Sequence, residues 1–151
     1  MNYLRKMITN HYEHRNLEKF TKETPMLSVN GHAYLAKVVY IYDGDTMHVV
    51  FKEFGSYYRW NCRVTGVDTP ELRTKNENEK KMGYEVRDKL REMFMDKIVT
   101  VNTYEFDKYG RLLIDIVFED PETKETTTLS EWLIKKEYAY AYDGGTKKAW
   151  E

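Results

Sequence analysis

Apolar and polar residues recur in two rhythms along this chain, and the change between them falls near residue 33. Upstream, Tyr3, Leu4, Met7, Ile8, His11 and Tyr12 return at helical spacing. They predict a helix over 1–23, with Asn16 capping a short second turn that carries Leu17 and Phe20. Thr24-Pro25 ends it, because a residue before proline is pushed out of the helical region, and Asn30-Gly31 signals a turn. Residues 1–33 are expected to form a helical extension packed on a main domain, 34–151. A partner-binding or oligomerising helix is the alternative.

Downstream the rhythm is that of strands. Residues 34–42 are rich in Val, Ile, Ala and Tyr, Asp43-Gly44 is a tight turn, and 47–51 return as a second strand. A turn around Gly55 leads to a third strand, 57–67. Over 76–96, Met82, Val86, Leu90, Met93 and Phe94 line one face of a helix. Strands follow at 98–105 and 112–118, joined by a turn at 107–110. Asp120-Pro121 opens a polar loop to about residue 127. A short helix over 129–136 carries Leu129, Trp132 and Leu133 on one side, and 138–142 is a last extended piece. Residues 146–151 leave room for about a turn and a half of helix. The sum is a mainly-β α+β domain of five strands, with one helix between the third and fourth and another after the fifth. A short twisted sheet hides its edges best by closing, so a five-stranded barrel of the oligonucleotide-binding (OB) type with packed helices is the expected fold.

Composition narrows the function classes. The 151 residues make one typical domain, and 41% apolar content excludes a wholly disordered chain. A net charge of −1 from 24 basic and 25 acidic side chains argues against a protein that coats nucleic acid by charge. It leaves room for an enzyme that touches a few phosphates. Cys62 is the single cysteine, which rules out an intrachain disulfide and a Cys-based zinc site; it reads as a small core residue. With no apolar run near the roughly 20 residues a membrane span needs, and no secretory signal, an intracellular location away from membranes is expected. The 13 tyrosines are expected mostly to pack on strands, with base stacking the alternative.

Three segments hold the candidate chemistry. In Asp43-Gly44-Asp45-Thr46, side chains two apart share a face of extended chain, so both carboxylates can meet a hard cation; the plain alternative is turn chemistry with solvated acids. In Arg63-Val64-Thr65-Gly66-Val67-Asp68-Thr69-Pro70-Glu71, Arg63 and Asp68 lie on opposite faces of a perfect strand, but Gly66 offers a bulge that re-aims them. Pro70 stiffens the exit, bringing the Thr69 carbonyl and Glu71 near Asp68; a strand-end ion pair is the alternative. In Asp107-Lys108-Tyr109-Gly110-Arg111, a turn presents two cations and a ring, which suits an anion with an attached ring; a polar hairpin turn is the plain alternative. Together, two or more carboxylates, two arginines and a spare glutamate are what phosphodiester hydrolysis with one metal requires.

Asp-Gly-Asp-Thr, then Arg-x4-Asp-Thr-Pro-Glu, then Asp-Lys-Tyr-Gly-Arg, in this order around one helix, resemble the staphylococcal (thermo)nuclease family over roughly residues 34–142. The resemblance implies an OB barrel and a Ca²⁺-dependent nuclease that cuts DNA and RNA with little sequence preference and leaves 3′-phosphates. It implies that Asp45 and Asp68 bind Ca²⁺ by their carboxylates and Thr69 by its carbonyl, with Asp43 just behind the metal. Glu71 would activate or orient water, and Arg63 and Arg111 would hold the scissile phosphate. Lys108 and Tyr109 would contact the neighbouring nucleotide or its terminal phosphate, and Tyr142 would be a further nucleotide-contacting tyrosine. The 47–61 hairpin is longer than in the family's prototype, the stretch between Glu71 and the helix is shorter, and no long C-terminal helix is expected. A monomer is expected. The runner-up function is a catalytically inactive OB-type module that binds nucleic acid or peptide. A purely structural calcium site leaves the two arginines unexplained.

Overall fold

Alternate residues of each long strand turn inward, and the inward residues meet in one core. The computed structural model describes residues 2–151. Strand β2 (Thr46–Glu53) buries Met47, Val49 and Phe51 at period two. Strand β1 (Ala33–Ile41) buries Ala36, Val38 and Ile41, and a register shift between Val38 and Tyr40 supplies the extra residue. Strand β3 (Ser56–Val64) runs antiparallel to β2 through a hairpin turned at Phe54 and Gly55.

The chain then breaks at Gly66 and resumes as β4 (Val67–Asp68). After helix α2 (Glu77–Phe94), strands β5 (Ile98–Phe106) and β6 (Leu112–Glu119) pair antiparallel, and β5 also pairs with β1. The sheet order is therefore β3-β2-β1-β5-β6. A parallel pairing of β3 with β6, Cys62 opposite Leu112 and Val64 opposite Ile114, closes it into a five-stranded barrel. The sequence expectation of an OB-type barrel agrees with this architecture. A short strand β7 (Thr126–Thr128), inside the stretch expected to be loop, extends the sheet beside β6. The last strand, β8 (Tyr140–Ala141), pairs with β4.

Two helices cover the barrel. Helix α2 is capped by Asn76, whose side chain accepts the N–H groups of Asn78 and Glu79, and it buries Gly83, Val86, Leu90 and Phe94. Arg91 ties it to β1 by donating twice to the Ile41 carbonyl, at 3.1 and 2.8 Å. Helix α3 (Leu129–Lys135) buries Leu129, Trp132 and Leu133. Its start is fixed by the buried Asp115, which accepts the Ser130 N–H at 3.0 Å and the Ser130 hydroxyl. Cys62 is fully buried, and burial pushes its thiol up to about 12, as befits a core residue rather than a nucleophile.

Two expectations are overturned here. Helix α1 (Asn2–Leu17) buries none of its residues; Tyr3, Leu4, Ile8 and Tyr12 all face solvent, so it is not packed on the barrel. It also runs straight through Asn16, which caps nothing. The tyrosines largely pack, as expected: nine of the thirteen have more than half of their surface covered, and Tyr3, Tyr12, Tyr57 and Tyr109 stand out into solvent. No helix among the described residues is long and apolar enough to cross a membrane.

Candidate active site

The turn between β1 and β2 is built by Asp43. Its Oδ1 accepts the backbone N–H of Asp45 at 3.2 Å and of Thr46 at 2.9 Å. That leaves the Asp45 carboxylate to face the next segment. Asp45 Oδ2 lies 3.5 Å from the Arg63 guanidinium and 3.4 Å from the Thr69 N–H, while Oδ1 accepts the Thr46 hydroxyl at 3.0 Å. Both acids are buried. Burial first, and then the negative charge of Asp45, push the Asp43 carboxyl up to about 7.

Gly66 adopts φ 75°, a left-handed conformation that lets β3 end and β4 leave in a new direction. Arg63 follows this turn: it donates to the carbonyls of Val64 at 3.3 Å and Val67 at 3.0 Å, and so is held on both sides of the glycine. Asp68 and Thr69 are buried beyond it. Asp68 Oδ1 and Thr69 Oγ1 have no aligned hydrogen-bond partner among the described residues. Lys147 Nζ does approach Asp68 Oδ1 to 2.9 Å, in the geometry of an ion pair rather than a hydrogen bond, and it also lies 3.2 Å from Glu71 Oε1. Glu71 is half-exposed. The loop bearing it is pinned by Glu79 of α2, which accepts the Glu71 N–H at 3.1 Å and the Thr74 hydroxyl at 2.9 Å.

The 107–111 turn is organised by one carboxylate. Asp107 accepts the N–H groups of Tyr109 and Arg111 through Oδ1 and the Arg111 Nε–H, at 2.8 Å, through Oδ2. Arg111 reaches across to Thr46 Oγ1 at 3.4 Å, joining this turn to the first. The Lys108 ammonium and Arg111 guanidinium lie 5.2 and 5.7 Å from the Tyr109 ring centre. Tyr142, placed by its N–H bond to the Gly66 carbonyl, lies 5.4 Å under the Arg63 guanidinium. A cleft of about 610 Å³ is lined by Arg63, Lys108, Tyr109, Arg111, Tyr142 and Lys147.

Every candidate residue thus falls into one connected network. Asp45, Arg63 and Thr69 touch directly, Arg111 joins through Thr46, and Asp68 and Glu71 share Lys147. Lys108, Tyr109 and Tyr142 line the cleft beside them. Sequence reasoning missed Lys147 and Glu79. The capping pattern at Asn76 places Glu79 at the start of α2, and Trp150 is an aromatic residue standing alone in a polar tail.

No three His, Cys, Asp or Glu side chains cluster around one point among the described residues. The groups nearest to offering one are the buried carboxylates of Asp45 and Asp68. Both suit a hard cation in chemistry: they are buried oxygen donors, Asp68 Oδ1 has no aligned hydrogen-bond donor and meets the Lys147 ammonium at 2.9 Å, and the charge of Asp45 adds to burial in raising the Asp43 carboxyl. A family model described as staphylococcal nuclease homologue matches residues 61–149, more than half of the chain. The chain belongs to that family. The matched stretch of this nuclease homologue contains Arg63, Asp68, Thr69, Glu71, Lys108, Tyr109, Arg111 and Tyr142. The Asp43–Thr46 turn lies outside it and is tied to it by Asp45 and Thr46. No curated protein matches the chain.

Proposed function

We propose that the protein is a Ca²⁺-dependent nuclease that hydrolyses DNA or RNA strands with little sequence preference and leaves 3′-phosphates. The observation that carries this reading is that Asp45, Asp68 and Glu71 are each paired with a cation, Arg63 or Lys147, that stands with Arg111 and Lys108 in the wall of one cleft. Asp45, Asp68 and the Thr69 carbonyl would hold the metal ion, with Asp43 fixing the turn behind them. The bound ion would supply charge neutralisation and polarise the phosphate.

The rest of the chemistry falls to the chain's own groups. The guanidinium forks of Arg63 and Arg111 grip non-bridging phosphate oxygens and offset the charge that grows as phosphorus becomes five-coordinate. Glu71 orients a water molecule and takes its proton as the oxygen attacks phosphorus. The P–O5′ bond breaks, the 5′ oxygen leaves with the electron pair and takes a proton from solvent water to become a hydroxyl, and the phosphate stays on the 3′ oxygen. Lys108, Tyr109 and Tyr142 hold the adjoining nucleotide by charge and ring contact, which reads no base edge and so gives little sequence preference.

The test is cleavage of a labelled single-stranded DNA and of an RNA by the full chain, with Ca²⁺ and with chelator, followed by end-group analysis. Ca²⁺-dependent cleavage to 3′-phosphate ends supports the reading. Binding without cleavage under any divalent ion would overturn it in favour of an inactive OB-type module.

A further inference from the structure

The residues after β8 form neither helix nor strand, yet they are tied down along their length. The Tyr142 hydroxyl donates to the Gly145 carbonyl at 2.9 Å, and the Gly145 N–H donates to Asp143 Oδ1 at 2.9 Å. At the far end the Trp150 ring is buried against Tyr140, with ring centres 4.2 Å apart and planes 27° from parallel. The Trp150 carbonyl accepts from Asn76 Nδ2 at 2.8 Å, which fixes it to the start of α2. Between these two anchors the strap delivers Lys147 to Asp68 and Glu71.

Lys147 is not spent on that contact. An ammonium has three donors, and two carboxylates occupy two directions. Its side chain remains 46% exposed and forms part of the cleft wall, with its Nζ 5.7 Å from the Tyr142 ring centre. Beyond Asp68 and Glu71, the two acids in the cleft wall are engaged elsewhere: Asp107 is taken up by Arg111, and Asp143 accepts the Gly145 N–H. Its neighbour Lys148 instead lies 5.4 Å from the Tyr140 ring centre and does not line this cleft.

We propose that Lys147, carried by the strap, is a further phosphate-binding cation of this cleft, and that it contacts the backbone of a single-stranded nucleic acid. The inference rests on the nuclease reading of the cleft. The strap, anchored by Trp150, is then a wall of the substrate site rather than a loose end.

Binding of a fluorescent single-stranded oligodeoxynucleotide, measured in chelator over a salt series, reads this contact without any strand being cut. Loss of one phosphate contact lowers the slope of log K against log salt by about 0.7 for a single strand. Lys147→Gln is expected to show that fall and several-fold weaker binding at low salt, whereas Lys147→Arg and Lys148→Gln keep the wild-type slope. Trp150→Ala is expected to match Lys147→Gln and to expose the strap to trypsin. An unchanged slope in Lys147→Gln, in protein whose wild type binds and cuts DNA, overturns this inference and leaves the nuclease reading standing. A wild type that neither binds nor cuts removes both.

Discussion

Gly44 is pressed against Thr69. A Cβ on Gly44 would stand 2.8 Å from both Thr69 Cβ and Cγ2, and 2.8 Å from Val86 Cγ1 of α2. The residue between the two aspartates is therefore glycine because the turn must touch the second segment, beyond any demand of the turn itself. That closeness is what lets Asp45 reach the Thr69 N–H and Arg63. Gly44→Ala is expected to cost roughly 1–3 kcal/mol, the usual range for an overpacked methyl, by urea denaturation. Because it also pushes Asp45 away from Thr69, its cleavage rate in the folded range should fall as well. A Gly44→Ala protein with wild-type stability and rate would contradict this account of the turn.

Arg63 and Glu71 should separate under mutation although both belong to the site. Glu71 is half-exposed and its side chain meets only Lys147, so Glu71→Gln should leave stability within about 0.5 kcal/mol. Its rate should fall by about 10²- to 10³-fold, as for removal of a comparable catalytic group. The Arg63 side chain is 11% exposed and serves the carbonyls of Val64 and Val67 as well as Asp45. Arg63→Ala should therefore lose a similar factor in rate and also roughly 1–3 kcal/mol, because near-buried acceptors lose their donor. Paired measurements of cleavage and of urea unfolding on both variants check the contrast, and equal stability losses would refute it.

The same residues show how much was legible in the chain. The barrel strands announce themselves as short runs rich in Val, Ile, Leu and Met, and every second residue of such a run, Met47, Val49 and Phe51 or Leu112, Ile114 and Ile116, is buried in the core. The two-residue strands β4 and β8 have no period to detect, and β7 is three threonines long. The three chemical segments were visible as motifs, and Gly66 was visible as the place where direction changes. Their convergence was not, since it depends on the close approach of Gly44 to Thr69 and of α2 to the loop after Pro70. The apolar spacing of α1 was real, but periodicity says that a face is apolar without saying what covers it. The strap carrying Lys147 reads as an ordinary polar tail, because the contacts that order it join residues such as Asn76 and Trp150 that lie far apart in sequence.

Helix α1 contributes nothing to the core, so its removal should not matter to the fold. Deleting residues 1–20 is expected to shift the thermal midpoint by no more than about 3 °C, since changes that remove no buried contact stay within about 0.5 kcal/mol. The first contacts with the barrel come later, at Val29, whose carbonyl accepts the Thr103 hydroxyl at 2.5 Å. A deletion that extends through residue 32 should destabilise the protein clearly. Calorimetry of the two truncations decides the matter, and a large loss from the shorter one would mean that α1 packs after all.

Asp107 should set the acid limit of the third segment. Burial raises its pKa, but the N–H groups of Arg111 and Tyr109 and the Arg111 guanidinium outweigh that, and the carboxyl ends below its ordinary value. A carboxyl with a lowered folded value contributes stability that is present above the unfolded value, near 3.9 for aspartate, and lost as the pH falls through the folded one. The turn should therefore keep its shape through mildly acidic pH and loosen only below about 4. The amide resonances of Tyr109 and Arg111, whose protons the carboxylate accepts, should report this titration directly. Asp107→Asn should abolish that acid step and free the Arg111 side chain, weakening oligonucleotide binding at neutral pH. A titration midpoint at or above the ordinary aspartate value would show that the three hydrogen bonds do not favour the ionised carboxylate.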